Sequence, residues 1–148
     1  MRVFLDANVL FSAALGGEIF RLIWMLAEQG KFQLLTSPFC WLEAEFNIER
    51  KRPKATPHLM QLMRWVRLVP EHQEVDYLAQ EPLRQLVSSL PEKDRPVLVA
   101  ALKAQAQVLL TGDLRHFDSL MGRTDLPLLV LSPRDFIVRI RPPEGEPF

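Results

Sequence analysis

Apolar and polar positions along the chain alternate between two rhythms, and together they predict an order of elements. Arg2 to Leu5 is a short apolar run rich in strand formers, too brief for a helix, and reads as a buried strand. From Glu18, the residues Phe20, Ile23, Trp24 and Ala27 recur at i, i+3, i+4 and i+7, with Gly30 placed where a helix stops. Phe32 to Thr36 reads as a second strand. Ser37-Pro38 then supplies a cap and a first-turn proline for a helix running to about Arg50.

Pro53 and Pro57 punctuate a basic connector, and Leu59, Leu62, Met63 and Val66 form a further helical stripe. Val66 to Val69 reads as a short strand, and Glu71 to Leu90 as helix interrupted near Pro82. A helix over Asp94 to Ala106, strands at Val108 to Leu110 and Leu128 to Leu131, and a helix capped by Ser132-Pro133 complete the pattern. The tail RPPEGEPF is Pro-rich and is expected to fray.

Strands that alternate with helices imply an α/β fold: three layers, α/β/α, around a central, mostly parallel sheet. A length of 148 residues suits one core, so residues 1–141 are expected to form a single domain and 142–148 a tail. No internal repeat and no Gly-rich phosphate loop appears.

Composition narrows this picture. A hydrophobic share of 48% belongs to a folded protein. Eighteen basic residues balance eighteen acidic ones, so any nucleic-acid binding rests on a local patch and not on a global positive field. The lone Cys40 cannot form an internal disulfide, and no Cys/His spacing for zinc is present, which fits a reducing, cytoplasmic setting. Asp6 and Asn8 interrupt the apolar amino terminus, against a signal peptide. Nowhere do roughly 18 apolar residues run together, so no spanning helix and no membrane association is expected.

The candidate chemistry lies in acids that sit where acids are costly. Asp6 ends the apolar run Val3-Phe4-Leu5, and burying a carboxylate there costs several kcal/mol, on the order of the penalty for an unpaired ion. Asp113, in LLTGD, follows the Val108 strand, and ligands gather at the carboxyl ends of parallel strands. Glu43 falls in the helical stripe of Phe39, Leu42 and Phe46 and is expected to point inward, whereas Glu45 is rotated by about 200° onto a face shared with Glu49. Asp94 opens a helix, where the dipole favours a carboxylate.

Each acid taken singly has a plain structural explanation: an Asx turn for Asp6, a turn for Asp113, an ion pair for Glu43 and an N-cap for Asp94. A shared cation explains all four at once, because crowded carboxylates stay ionised only when positive charge holds them. Hard oxygen donors point to Mg2+ or Mn2+.

The segments LDANVLFSA, SPFCWLEAE, KDRPVLVAAL and LLTGDLRHF, in this order and spacing, resemble the PIN domain, a metal-dependent nuclease fold that includes the toxin ribonucleases of bacterial VapC-type toxin–antitoxin pairs. The likeness spans Val3 to Phe117, leaving about Arg50 to Leu90 unmatched. It implies catalytic, metal-holding roles for Asp6, Glu43, Asp94 and Asp113, with Asn8 and Thr111 in support and Asp118 as an acid nearby. Glu45 offers an alternative to Glu43, and periodicity favours Glu43.

The implied activity is endoribonuclease hydrolysis of RNA phosphodiester bonds, which needs no side-chain nucleophile. Positive charge for RNA is expected from Arg50, Lys51, Arg52 and Lys54, extended by Arg64, Arg67 and Arg115, although a charge run also serves as plain solvated surface. His116 could touch phosphate, while a lone His is more often structural. Trp24, Trp41 and Trp65 read as core or interface residues. Apolar surplus on the helices around Phe20 to Ala27 and Leu59 to Val66 would suit a homodimer or an antitoxin peptide. Two other readings fit the acids: a non-catalytic RNA-binding or assembly module on the same fold, and a phosphoacceptor domain, which wants a Lys after a late strand where LLVLSPR has none before Arg134.

Overall fold

A computed structural model describes residues 1–70, 83–142 and 144–148. The first strand, β1 (Arg2–Leu5), runs into α1 (Ala7–Leu15) and α2 (Glu18–Glu28). Then come β2 (Gln33–Thr36), α3 (Pro38–Lys51), a 3-10 turn (Pro53–Ala55), α4 (Thr56–Met63) and β3 (Val66–Leu68). Beyond the undescribed stretch lie α5 (Leu83–Ser88), a 3-10 turn (Glu92–Asp94), α6 (Arg95–Lys103), β4 (Val108–Leu110), a third 3-10 turn (Asp118–Leu120), β5 (Leu129–Leu131) and α7 (Pro133–Ile140). The helix expected over 71–90 falls largely outside the described residues, and its last part is α5.

The strands form one sheet in the order β3-β2-β1-β4-β5, with every pairing parallel. β1 occupies the centre, so its carboxyl end opens between those of β2 and β4. The ladder continues one residue past β1, where the Asp6 amide donates to the Leu110 carbonyl at 3.0 Å. Thr36 Oγ1 ties the same edge by donating to the Leu5 carbonyl at 2.7 Å. Helices cover both faces, giving two apolar cores. One gathers Leu5, Leu10, Ile23, Leu34, Ile48 and Phe136; the other gathers Phe4, Leu35, Leu98, Leu109, Phe117 and Val130. This is the three-layer α/β/α architecture the pattern predicts. Among the described residues, no single helix is long and apolar enough to cross a membrane.

Four features differ from the expectations. A helix, α1, occupies Ala7–Leu15, where no periodic stripe announces one. It buries Ala7, Val9, Leu10, Ala13 and Ala14, which lie on more than one face, so its sequence is apolar nearly all round. On α3 the inward face is the stripe Cys40, Ala44 and Ile48, the first two of them small, while Phe39, Leu42, Glu43 and Phe46 are exposed. The inward placement of Glu43 is thereby corrected: small residues let α3 lie close against α1, and the bulkier stripe is turned outward. Apolar surface is exposed on α3 as well as on the two expected stretches, where Met25, Met60 and Trp65 are exposed while Ile23, Trp24, Leu59 and Met63 are buried.

Of the tryptophans, Trp24 is core and donates its indole N–H to the Leu62 carbonyl at 3.0 Å; Trp41 is half-buried, and Trp65 is exposed. The tail ends with Phe148 packed against the first core and the Arg141 guanidinium 6.0 Å from its ring centroid.

Candidate metal centre

Asp6 is the residue between strand and helix. Its extended backbone (φ −70°, ψ 159°) makes it the N-cap of α1, with Oδ1 accepting the Ala7 amide at 2.7 Å. Oδ2 accepts from Thr111 Oγ1 at 2.8 Å and from Asn8 Nδ2 at 3.2 Å. Asp6 therefore acts as a helix cap and not as an Asx turn, which would accept the amide two residues on, and the cap uses only one oxygen. Burial leaves it 5% exposed. Burial is also the main reason its pKa rises from 3.8 to about 6; the Thr111 and Ala7 hydrogen bonds pull it down, and the neighbouring Asp94 and Glu43 carboxylates push it up.

Thr111 and Asn8 knit this acid to the other end of the site. Thr111 is fully buried; its one hydroxyl proton goes to Asp6, while its oxygen accepts the Asp113 amide at 3.0 Å. Asn8 Oδ1 accepts the Gly112 amide at 2.7 Å. A Cβ built on Gly112 would stand 3.3 Å from that oxygen, so the Gly of LLTGD keeps the loop close to α1.

Asp113, Asp94 and His116 form the second half. Asp113 Oδ1 accepts the His116 amide at 3.2 Å, closing a tight turn, and Oδ2 lies 2.8 Å from His116 Nδ1. The next residue, Phe117, is fully buried and anchors the loop. Asp94 ends the 3-10 turn before α6 with helical backbone (φ −95°, ψ −14°) and makes no side-chain capping bond, which sets aside the purely capping explanation. Its Oδ2 lies 2.9 Å from the same His116 Nδ1. Both Asp94 Oδ2 and His116 Nδ1 are buried and lack a hydrogen bond of good alignment, although they approach within ion-pair distance. Burial raises the Asp94 pKa, with His116 and Lys93 opposing.

Asp6, Glu43, Asp94 and Asp113 all line one cleft of about 260 Å3, together with Asn8, Lys51 and Lys93. Glu43 reaches it from the exposed face of α3, and Glu45, half-buried, does not line it. Asp118 begins an exposed 3-10 turn and is likewise outside. Of the basic residues, Lys51 lines the cleft with Nζ 5.7 Å from the Phe11 ring centroid; Arg50 stacks on Phe46 at 5.3 Å, and Arg52 donates to the Lys51 carbonyl at 2.8 Å. Lys54 and Arg115 are exposed. Cys40 lies beneath the site, where burial and the Asp6 carboxylate push its thiol up to about 12, so it stays protonated and inert.

The donor set fits a divalent cation. Asp94 presents a buried carboxylate oxygen without a hydrogen bond, within 4.8 Å of ligand atoms of Asp113 and His116, and Asp6 lines the same cleft. His116 is the part that sequence reasoning left aside. Its available signal was the i, i+3 spacing from Asp113 in GDLRH, next to a Phe that must be buried.

The PIN domain family profile matches residues 2–115. No curated protein matches the chain. Among solved structures, VapBC2 from Rickettsia felis, bound to a DNA fragment from its promoter, superposes with a TM-score of 0.65 at 14% identity, covering 88% of this chain and 97% of that one. VapBC-1 from nontypeable Haemophilus influenzae gives 0.59 at 16% identity, covering 90% and 99%. At such identities the likeness is one of fold.

Proposed function

The chain belongs to the PIN domain family, and from that premise we propose that it is a divalent-metal-dependent endoribonuclease that hydrolyses RNA phosphodiester bonds, the toxin of a toxin–antitoxin pair. The observation that carries this reading is the convergence of acids from β1, α3, the start of α6 and the loop after β4 on one cleft, with a buried Asp94 oxygen left without a hydrogen bond.

In this reading Asp6, Asp94 and Asp113 hold Mg2+ or Mn2+, and Glu43 completes the acidic lining from the solvent side. The ion supplies Lewis-acid polarisation of the scissile phosphate. The protein's own residues supply placement. Thr111 and Asn8 hold the Asp6 carboxylate against β4, and the Thr111 oxygen fixes the start of the Asp113 turn. Lys51 and Lys93 bring positive charge to a cleft that would otherwise repel a polyanion. Arg50, Arg52, Lys54 and Arg115 extend that charge along the surface for the RNA backbone.

A protein partner suits the exposed Phe39, Leu42 and Phe46 on α3, beside the cleft, and we assign the antitoxin, or a second copy of the chain, to such apolar surface. Both solved relatives are VapBC complexes. A free, inert Cys40 is at home in the reducing cytoplasm.

The test is cleavage of mixed RNA in Mg2+ and in Mn2+, with and without a chelator. Metal-dependent cleavage that disappears in Asp6→Asn and in Asp113→Asn supports the reading. Unchanged cleavage in those variants overturns it, and binding of RNA without cleavage under any of these conditions favours a non-catalytic module.

A further inference from the structure

We propose that His116 is itself a metal ligand, adding a nitrogen donor to the oxygens of Asp94 and Asp113, so that the centre prefers a first-row transition-metal ion to Mg2+. The inference rests on the reading of the cleft as a divalent metal centre and specifies its donors.

The three donors come from the turn before α6 and the loop after β4. His116 Nδ1, Asp94 Oδ2 and Asp113 Oδ2 are separated by 2.9 Å and 2.8 Å along the two nitrogen–oxygen edges. Ligand atoms of all three residues lie within 4.8 Å of one another. Two ligands at right angles, each about 2.1 Å from an ion, stand roughly 3.0 Å apart, so these edges are those of adjacent corners of a coordination shell.

The competing explanation is an imidazolium clamped between two carboxylates. It fails on valence and on direction. Nδ1 carries at most one hydrogen, yet two carboxylate oxygens converge on it. Nδ1 and Asp94 Oδ2 are buried and stand 2.9 Å apart as an ion pair without a well-aligned hydrogen bond. Asp94 is only 8% exposed, so water does not readily serve that oxygen. An ion satisfies all three atoms together.

The ring is also positioned in advance. The His116 amide is held by Asp113 Oδ1, and Phe117 fixes the following backbone in the core. A nitrogen donor discriminates against Mg2+, which takes oxygen ligands and keeps its waters, and favours transition ions that accept imidazole. Mn2+ is the weakest binder of that series, which makes it a stringent probe.

The experiment loads the full chain with Mn2+ and records pulsed EPR, then measures how much Mg2+ displaces the bound Mn2+. The expected result is nitrogen hyperfine coupling in the parent protein that disappears in His116→Ala. Parent Mn2+ should be displaced only by a roughly tenfold or greater excess of Mg2+, and that preference should shrink towards parity in the variant. Bound Mn2+ that is released by Asp113→Asn but shows no nitrogen coupling overturns the role of His116 and leaves the metal centre standing. Failure of the parent protein to bind Mn2+ overturns both. Should His116→Ala fold poorly, the parent spectrum alone decides.

Discussion

The two ends of the parallel sheet make opposite use of the same strands. At the amino ends a groove of about 610 Å3 is lined by Met1, Arg2, Gln33, Trp65 and Arg67. At the carboxyl ends the acid cleft has less than half that volume. In the larger groove Arg2 is already engaged, its amide with Gln107 Oε1 and its guanidinium with the Ala104 carbonyl, and no acid among the described residues lines it. In the smaller one, donors from four chain segments face the same space. Volume follows from how the helices happen to cover the sheet, whereas chemistry follows from strand direction, which aims every loop after a strand at one edge.

The largest expected effect separates these ends by activity. Asp113→Asn should lower RNA cleavage by about a hundredfold or more, whereas Arg67→Ala, in the larger groove, should leave it within about twofold. Equal losses in the two would erase the distinction.

A second test uses proton binding at the buried end. Asp6 titrates near 6 in the fold instead of 3.8, so between those values the folded protein holds a proton that the unfolded chain has released. Its contribution to the stability of the metal-free protein therefore falls as pH rises from about 4 to about 6 and is constant above. Metal-free Asp6→Asn should melt higher than the parent near pH 7, by the equivalent of about 1–3 kcal/mol, and the gap should close below about pH 4. A gap that widens on acidification has the wrong sign for a buried acid.

Thr111→Val should cost about 1–3 kcal/mol in denaturant unfolding, because the Asp6 carboxylate and the Asp113 amide each lose a buried partner. The smallest effect concerns the surface: Arg52→Ala with Lys54→Ala should weaken RNA binding and leave the melting temperature unchanged. The salt dependence of binding should flatten by about 0.7 for each phosphate that is no longer neutralised.

How much of this was legible in the sequence differs by element. The capped helices were plain, since Ser37 and Ser132 accept the Cys40 and Asp135 amides in the way Ser-Pro starts predict. Asp6 was legible because it ends an apolar run and Asp113 because it follows a strand, whereas Glu43 was singled out for an inward placement that the structure reverses and Asp94 for a helix start; all four nonetheless line one cleft. The helix α1 was not, because residues apolar on most faces carry no 3.6 period to detect. On α3 two apolar stripes compete, Phe39-Leu42-Phe46 and Cys40-Ala44-Ile48, and large side chains weigh more in any hydrophobicity count than small ones. Burial went the other way because close packing of α3 on α1 favours small residues, and this turn of the helix is what presents Glu43 to the cleft. His116 was obscured by a sound prior against lone histidines, and only its distances to Asp94 and Asp113 distinguish it.

The hydrogen bond from Thr111 to Asp6 spans 105 positions along the chain. A polypeptide emerging from the ribosome thus displays its first acid long before the strand that orients it exists, and β1 cannot gain its second neighbour until β4 has been made. The orientation of Asp6, and with it the assembled cleft, therefore waits on a segment made more than a hundred residues after the acid itself.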